Sequence, residues 1–155
     1  MAAAEQIFGG AVAQPPQIEG ETKRIRTVVV DDSPTFLEVT CALLELEPLV
    51  DVVARADKGG EAIEIVMKLQ PDLVLMDVHM PYLDGLTLAW FFRQRFPCAQ
   101  VVLMSAENTP ELREACADSG ALDFVHKENF RQEFTAILQR IRSASAGSKE
   151  RLAGE

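Results

Sequence analysis

The chain has 155 residues, enough for one compact domain whose apolar core needs neither disulfides nor a structural metal. Lys and Arg number 15 against 24 Asp and Glu, a net charge of −9 that disfavours direct nucleic-acid binding, which requires clustered cations. Hydrophobic residues at 48% and charged residues at 25% describe a folded domain, not a disordered chain.

Residues 1–24 have the composition of a tail: small residues, Gly9-Gly10, Pro15-Pro16 and no sustained apolar period. A disordered N-terminal extension is expected there, with Ile7 and Phe8 its only bulky apolar pair. The start, 1–6, carries Glu5 and no Lys or Arg, so it lacks the basic region of a secretory signal, and no apolar run approaches the length of a membrane span. The expected setting is soluble and cytoplasmic, with no membrane partner. Cys41, Cys98 and Cys116 have no pairing pattern and read as small buried apolar residues of a reducing compartment.

From Ile25 onward, short β-rich apolar runs alternate with helical patterns. The runs are 25–30, 49–54, 72–76, 100–104 and 121–125. Each is nearly continuous in apolar residues, as expected of strands covered on both faces. Pro34 suits the first turn of a first helix and Pro48 stops its far end. Gly59-Gly60 precedes a second helix, and Pro71 separates it from the third strand. Asn108-Thr109-Pro110 offers caps and a first-turn proline to a fourth helix. In the last helix Phe130, Phe134, Ile137, Leu138 and Ile141 share one face. From Ser143 the small and mixed-charge residues imply a flexible C-terminal tail over 143–155, leaving 25–142 as the domain.

Five β-α repeats predict an α/β fold: a (βα)5 doubly wound parallel sheet of flavodoxin-like type, strand order 2-1-3-4-5. Such sheets bind ligands outside the carboxyl ends of their strands, where the order reverses. Four of the five runs end in residues able to do chemistry: Asp31-Asp32, Asp77, Ser105 and, after His126, Lys127. Singly, each has a bland reading as helix cap, turn former or solvated charge. Jointly they form a set. Three carboxylates gathered at the switch point repel one another, and a hard divalent cation such as Mg2+ removes that penalty. A lysine and a serine hydroxyl there can hold phosphoryl oxygens, leaving one aspartate to attack phosphorus.

These residues carry a resemblance. Val-Val-Val-Asp-Asp-Ser-Pro at 28–34, Val-Leu-Met-Asp-Val-His-Met-Pro-Tyr-Leu-Asp-Gly at 74–85, Val-Leu-Met-Ser-Ala at 102–106 and Phe-Val-His-Lys at 124–127 resemble a response regulator receiver domain of two-component systems, of the single-domain chemotaxis type. The middle motif is the specific one. The resemblance implies that Asp77 is the phosphoacceptor and that Mg2+ is held by Asp31, Asp32, Asp77 and the backbone carbonyl of His79. It further implies that Ser105 and Lys127 bind the attached phosphoryl group and that Phe124 is a switch aromatic turning inward as Ser105 moves. Plain core packing of Phe124 is compatible with that role. Ala106 keeps the approach of Ser105 open. His79 and Glu107 fall at variable positions that set phosphate lifetime; the His79 side chain either gates water or faces solvent. One departure stands out, because the family's lysine is usually followed by proline and here Glu128 follows Lys127.

The implied activity is phosphorylation of Asp77 by a sensor histidine kinase or a histidine phosphotransfer protein. The resulting change on the face of the fourth helix, fifth strand and fifth helix would act on a downstream protein target or a homodimer. Neither tail is long enough for a DNA-binding or catalytic output domain, so no enzymatic activity is expected beyond the chain's own phosphorylation and dephosphorylation. A dehalogenase-type hydrolase would want Asp-x-Asp after the first strand. A flavin carrier would avoid two aspartates at its phosphate loop. The remaining alternative is a phosphorylation-independent interaction module with an intact but unused site.

Overall fold

The protein is described by a computed structural model covering residues 23–153. In chain order the elements are β1 (Ile25–Val30), α1 (Pro34–Glu45), β2 (Val50–Ala56), α2 (Gly59–Leu69), β3 (Leu73–Asp77), α3 (Gly85–Arg95), β4 (Gln100–Ser105), α4 (Pro110–Asp118), β5 (Asp123–His126) and α5 (Phe130–Ala153). A 3-10 turn, Lys127–Asn129, joins β5 to α5. The five strands are all parallel and lie in the order β2-β1-β3-β4-β5, as the alternating pattern implies.

Both faces of the sheet are buried, which explains the unbroken apolar runs. Val29, Leu73, Leu75, Val102, Met104 and Val125 face one way and pack on Leu37, Cys41 and Leu44 of α1 and Phe130, Phe134, Ile137 and Leu138 of α5. Their sequence neighbours Val28, Val30, Val74, Met76, Val101, Leu103 and Phe124 face the other way, onto Ala62 and Val66 of α2, Leu88, Ala89 and Phe92 of α3 and Cys116 of α4. Period-two alternation is present, but with an apolar partner on each side.

Three of the helices, α1, α3 and α4, begin where short polar side chains accept a free N–H of the first turn. Ser33 Oγ accepts from Phe36 N (3.3 Å), Asp84 Oδ1 from Thr87 N (2.8 Å) and Thr109 Oγ1 from Leu112 N (3.1 Å). Pro34 and Pro110 occupy first-turn positions where a missing N–H costs nothing.

Three expectations change. Gly59 and Gly60 do not precede α2 but form its first two residues. The last helix does not stop near Arg142: α5 continues through Ala153, so the segment expected to be a tail, 143–155, is helical over most of its length. The small residues Ser143-Ala144-Ser145-Ala146 suit a tail by composition, but no proline interrupts 143–153, and propagating a helix already formed is inexpensive. The third change concerns the cysteines. Cys41 and Cys116 are buried as expected, whereas Cys98 is exposed in the turn between α3 and β4, where the adjacent Ala99 is the buried residue. The extension expected over 1–24 lies outside the described residues except for Lys23 and Arg24.

Candidate functional site

The crossover reversal between β1 and β3 opens the carboxyl edge of the sheet, and the predicted residues gather there. Asp31 directly follows β1 and is fully buried; Asp32 is exposed; Asp77 closes β3 at 5% exposure. Each of the three offers an oxygen within 4.8 Å of the others. From the far side, Lys127 reaches across with its Nζ 2.8 Å from Asp31 Oδ2 and 3.4 Å from Asp77 Oδ1. The second Asp31 oxygen accepts from Ser33 N at 2.9 Å, which ties the carboxylate to the start of α1.

Burial pushes the Asp77 carboxyl up to about 6 from 3.8, the Asp31 charge pushes the same way, and the Lys127 ammonium pulls against both. Three carboxylates face one ammonium, so the cluster holds an excess of negative charge in a poorly solvated place. The donor set is all oxygen and convergent. It fits a hard divalent cation such as Mg2+, which would relieve that excess.

The loop after β3 is shaped by close backbone contacts. Val78 N donates to Met104 O (2.9 Å) and Gly85 N to Val78 O (2.8 Å), so α3 starts against the backbone of Asp77. A Cβ on Gly85 would lie 2.3 Å from the Asp77 carbonyl oxygen, which explains the glycine that ends the middle motif. Leu83 N donates to Pro81 O across Tyr82, whose φ of 69° is left-handed and whose ring is fully exposed.

Ser105 ends β4 beside β3 and is buried, but its Oγ accepts from Glu107 N at 3.0 Å and makes no hydrogen bond to the three carboxylates. Phe124 is 6% exposed and turned into the core. His79 and Glu107 lie together: His79 Nε2 is 3.6 Å from Glu107 Oε2, with both side chains more than half exposed. After Lys127 the chain enters the 3-10 turn directly, and every peptide bond among the described residues is trans, so Glu128 is accommodated without disturbing the reach of Lys127.

Sequence reasoning missed Phe36, whose ring centroid lies 4.0 Å from Lys127 Nζ. It also missed Arg113 on α4, whose guanidinium covers the Phe124 ring at 4.9 Å. An aromatic in the first turn after the paired aspartates is the only signal for Phe36; nothing local marks Arg113.

Comparison with known proteins shows the family. The family model described as the response regulator receiver domain matches residues 27–139. The chain is 33% identical over 138 residues to a protein-glutamate methylesterase/protein-glutamine glutaminase of Caldanaerobacter subterraneus, covering 84% of this chain and 37% of that protein. It is 34% identical over 118 residues to the probable transcriptional regulatory protein NarL of Mycobacterium tuberculosis, covering 76% of this chain and 55% of that one. The chain thus spans about a third to a half of the length of these curated relatives. Among solved structures, the signal receiver domain of the response regulator NarL from Mycobacterium tuberculosis superposes with a TM-score of 0.72 at 32% identity, covering 78% of this chain and 98% of that one. The response regulator domain of Thermotoga maritima CheB gives 0.68 at 31% identity, covering 79% and 96%.

Receiver domains are phosphoryl-accepting switches of two-component signalling; they bind Mg2+ in an acidic pocket and work between a phosphodonor and a downstream effector. With the sheet order, the acidic cluster and a family match over most of its length, the chain belongs to the response regulator receiver domains.

Proposed function

We propose that this chain accepts a phosphoryl group on Asp77 from a sensor histidine kinase or a histidine phosphotransfer protein. The observation that carries the reading is the convergence of Asp31, Asp32 and Asp77 with Lys127 at the carboxyl edge of the sheet. An Asp77 oxygen attacks phosphorus, a P–O bond forms, and the P–N bond to the donor imidazole breaks with its electron pair returning to nitrogen. Lys127 steadies the carboxylate and then the phosphoryl oxygens as a point charge. Ser105 exchanges its bond to Glu107 N for one to a phosphoryl oxygen. Asp31, Asp32, Asp77 and the His79 backbone carbonyl would hold Mg2+, which would supply charge neutralisation for the transferring group.

The downstream effect follows from where these groups sit. Moving Ser105 alters the loop leading to α4, and with it the face of α4, β5 and α5 presented to a cytoplasmic protein target or a second copy. The chain's catalysis is confined to its own phosphorylation and dephosphorylation. His79 and Glu107 flank the mouth of the site and set how readily water removes the phosphate.

Intact mass after incubation with acetyl phosphate tests this. The expected result is a Mg2+-dependent gain of one phosphoryl group in the wild type and none in Asp77→Asn. No gain in a folded protein, together with no binding of beryllofluoride, would leave the phosphorylation-independent interaction module as the reading.

A further inference from the structure

We propose that Arg113 is a positioning residue that holds Phe124 inside the core and ties the loop after Ser105 to α5, an inference that rests on the switch role proposed for Phe124 and Ser105. The Arg113 guanidinium lies 4.9 Å from the centre of the Phe124 ring. Its Nε donates to Asn108 Oδ1 at 2.6 Å, within the loop between β4 and α4. One terminal nitrogen lies 3.9 Å from Glu133 Oε1 on α5. The other Glu133 oxygen accepts from His126 N at 2.7 Å, and His126 Nε2 meets Ala106 O at 2.9 Å. Ala106 directly follows Ser105. The contacts therefore form a closed circuit from the loop, through α4 and α5, to the end of β5 and back to the loop.

The circuit has a mechanical consequence. Glu107 N is the group that Ser105 Oγ releases in turning towards Asp77, and the contacts at Ala106 and Asn108 on either side hold the loop backbone in place while the hydroxyl turns. Phe124 is already inward while Ser105 still bonds to Glu107, so the two movements are not locked together here. Arg113 accounts for the difference: it covers the ring independently of the hydroxyl. Without it, part of the population would have Phe124 outward, and binding a phosphoryl group would first have to draw the ring back.

The test compares Arg113→Ala and Arg113→Lys with the wild type, alone and combined with Phe124→Leu. In full-length protein without Mg2+, nuclear Overhauser contacts between the Phe124 ring and Leu103 report the ring's position. These contacts are expected to weaken in Arg113→Ala and to be restored in part by Arg113→Lys, which keeps a cation over the ring. Beryllofluoride affinity, measured with Mg2+, is expected to fall roughly three- to tenfold in Arg113→Ala, in line with a surface cation–π contact, and to be unaffected by the same change in the Phe124→Leu background. Undiminished ring contacts in Arg113→Ala, or an equal loss of affinity in both backgrounds, would overturn the proposal. A wild type that binds no beryllofluoride would count against the proposed function, and the ring contacts would still decide the role of Arg113.

Discussion

The two edges of the sheet use the same residue type for opposite ends. At the amino edge, Asp72 Oδ2 accepts from Arg26 N at 2.9 Å while the Asp72 N–H and carbonyl join Arg26 and Gln100 across the strands. Asp123 accepts from Phe124 N and pairs with Arg140. At the carboxyl edge, Asp31 and Asp77 face each other and share one ammonium, and Asp77 is held well above the usual carboxylate range. An aspartate whose oxygens are occupied by nearby backbone stabilises the fold. One held against like charge destabilises it.

Glycines sharpen the contrast, with the largest expected effect. Gly85 at the carboxyl edge meets backbone, so Gly85→Ala forces Asp77 and α3 apart and is expected to cost about 3 kcal/mol. Gly120 at the amino edge has φ +89°, and the nearest atoms its Cβ would meet, from 3.1 Å outward, belong to the exposed Arg93 side chain, which can give way. Gly120→Ala is expected to cost about 1–2 kcal/mol, chiefly through its left-handed backbone. Urea unfolding measures both. The discriminating readout is Mg2+ affinity, which should fall in Gly85→Ala and be unchanged in Gly120→Ala.

Next come the aspartates themselves. Asp77→Asn is expected to raise stability by about 1–3 kcal/mol at pH 7 to 8 in a chelator, because the folded carboxyl titrates near 6 against 3.8 for the free group. The sign follows from proton uptake: between those values the folded state binds more protons than the unfolded one, so wild-type stability falls as pH rises through the window. The advantage of Asp77→Asn should therefore grow from about pH 4 to pH 6 and level off above it. Asp72→Ala is expected to do the reverse, losing about 1 kcal/mol with its bond to Arg26 N. An advantage of Asp77→Asn that did not vary with pH would sink the electrostatic account. Mg2+ should stabilise the wild type more than the variant.

Much of this was legible in the chain. The continuous apolar runs required a sheet covered on both faces, and their polar ends located one edge, because strand termini are local in sequence. Lys127 could be placed beside Asp31 only through the parallel topology, which brings residues 96 apart in sequence within 2.8 Å. What composition could not tell was where α5 ends, since the small residues after Ser143 suit a tail and a propagating helix alike. Cys98 and Arg113 illustrate the other limit. Residue type sets a preference for burial or charge pairing, but the turn at Cys98 and the packing of α4 against β5 decide what each side chain meets.

The smallest expected effect on stability is at the mouth of the site. His79 and Glu107 are 3.6 Å apart and more than half exposed, so solvent screens their attraction and Glu107→Ala should change stability by less than about 0.5 kcal/mol. Its effect belongs to the phosphorylated protein. Together the two side chains connect the residue that follows Val78 to the loop that follows Ser105, and under the proposed function they stand in the way of water. Removing Glu107 opens that way, and loss of the phosphoryl group is expected to accelerate several-fold, followed as decay of the phosphorylated mass after the phosphodonor is removed. If the pair acts as a unit, His79→Ala should give a similar acceleration and the double variant little more than either alone. Additive effects would instead mean that each side chain obstructs water separately, with their contact incidental.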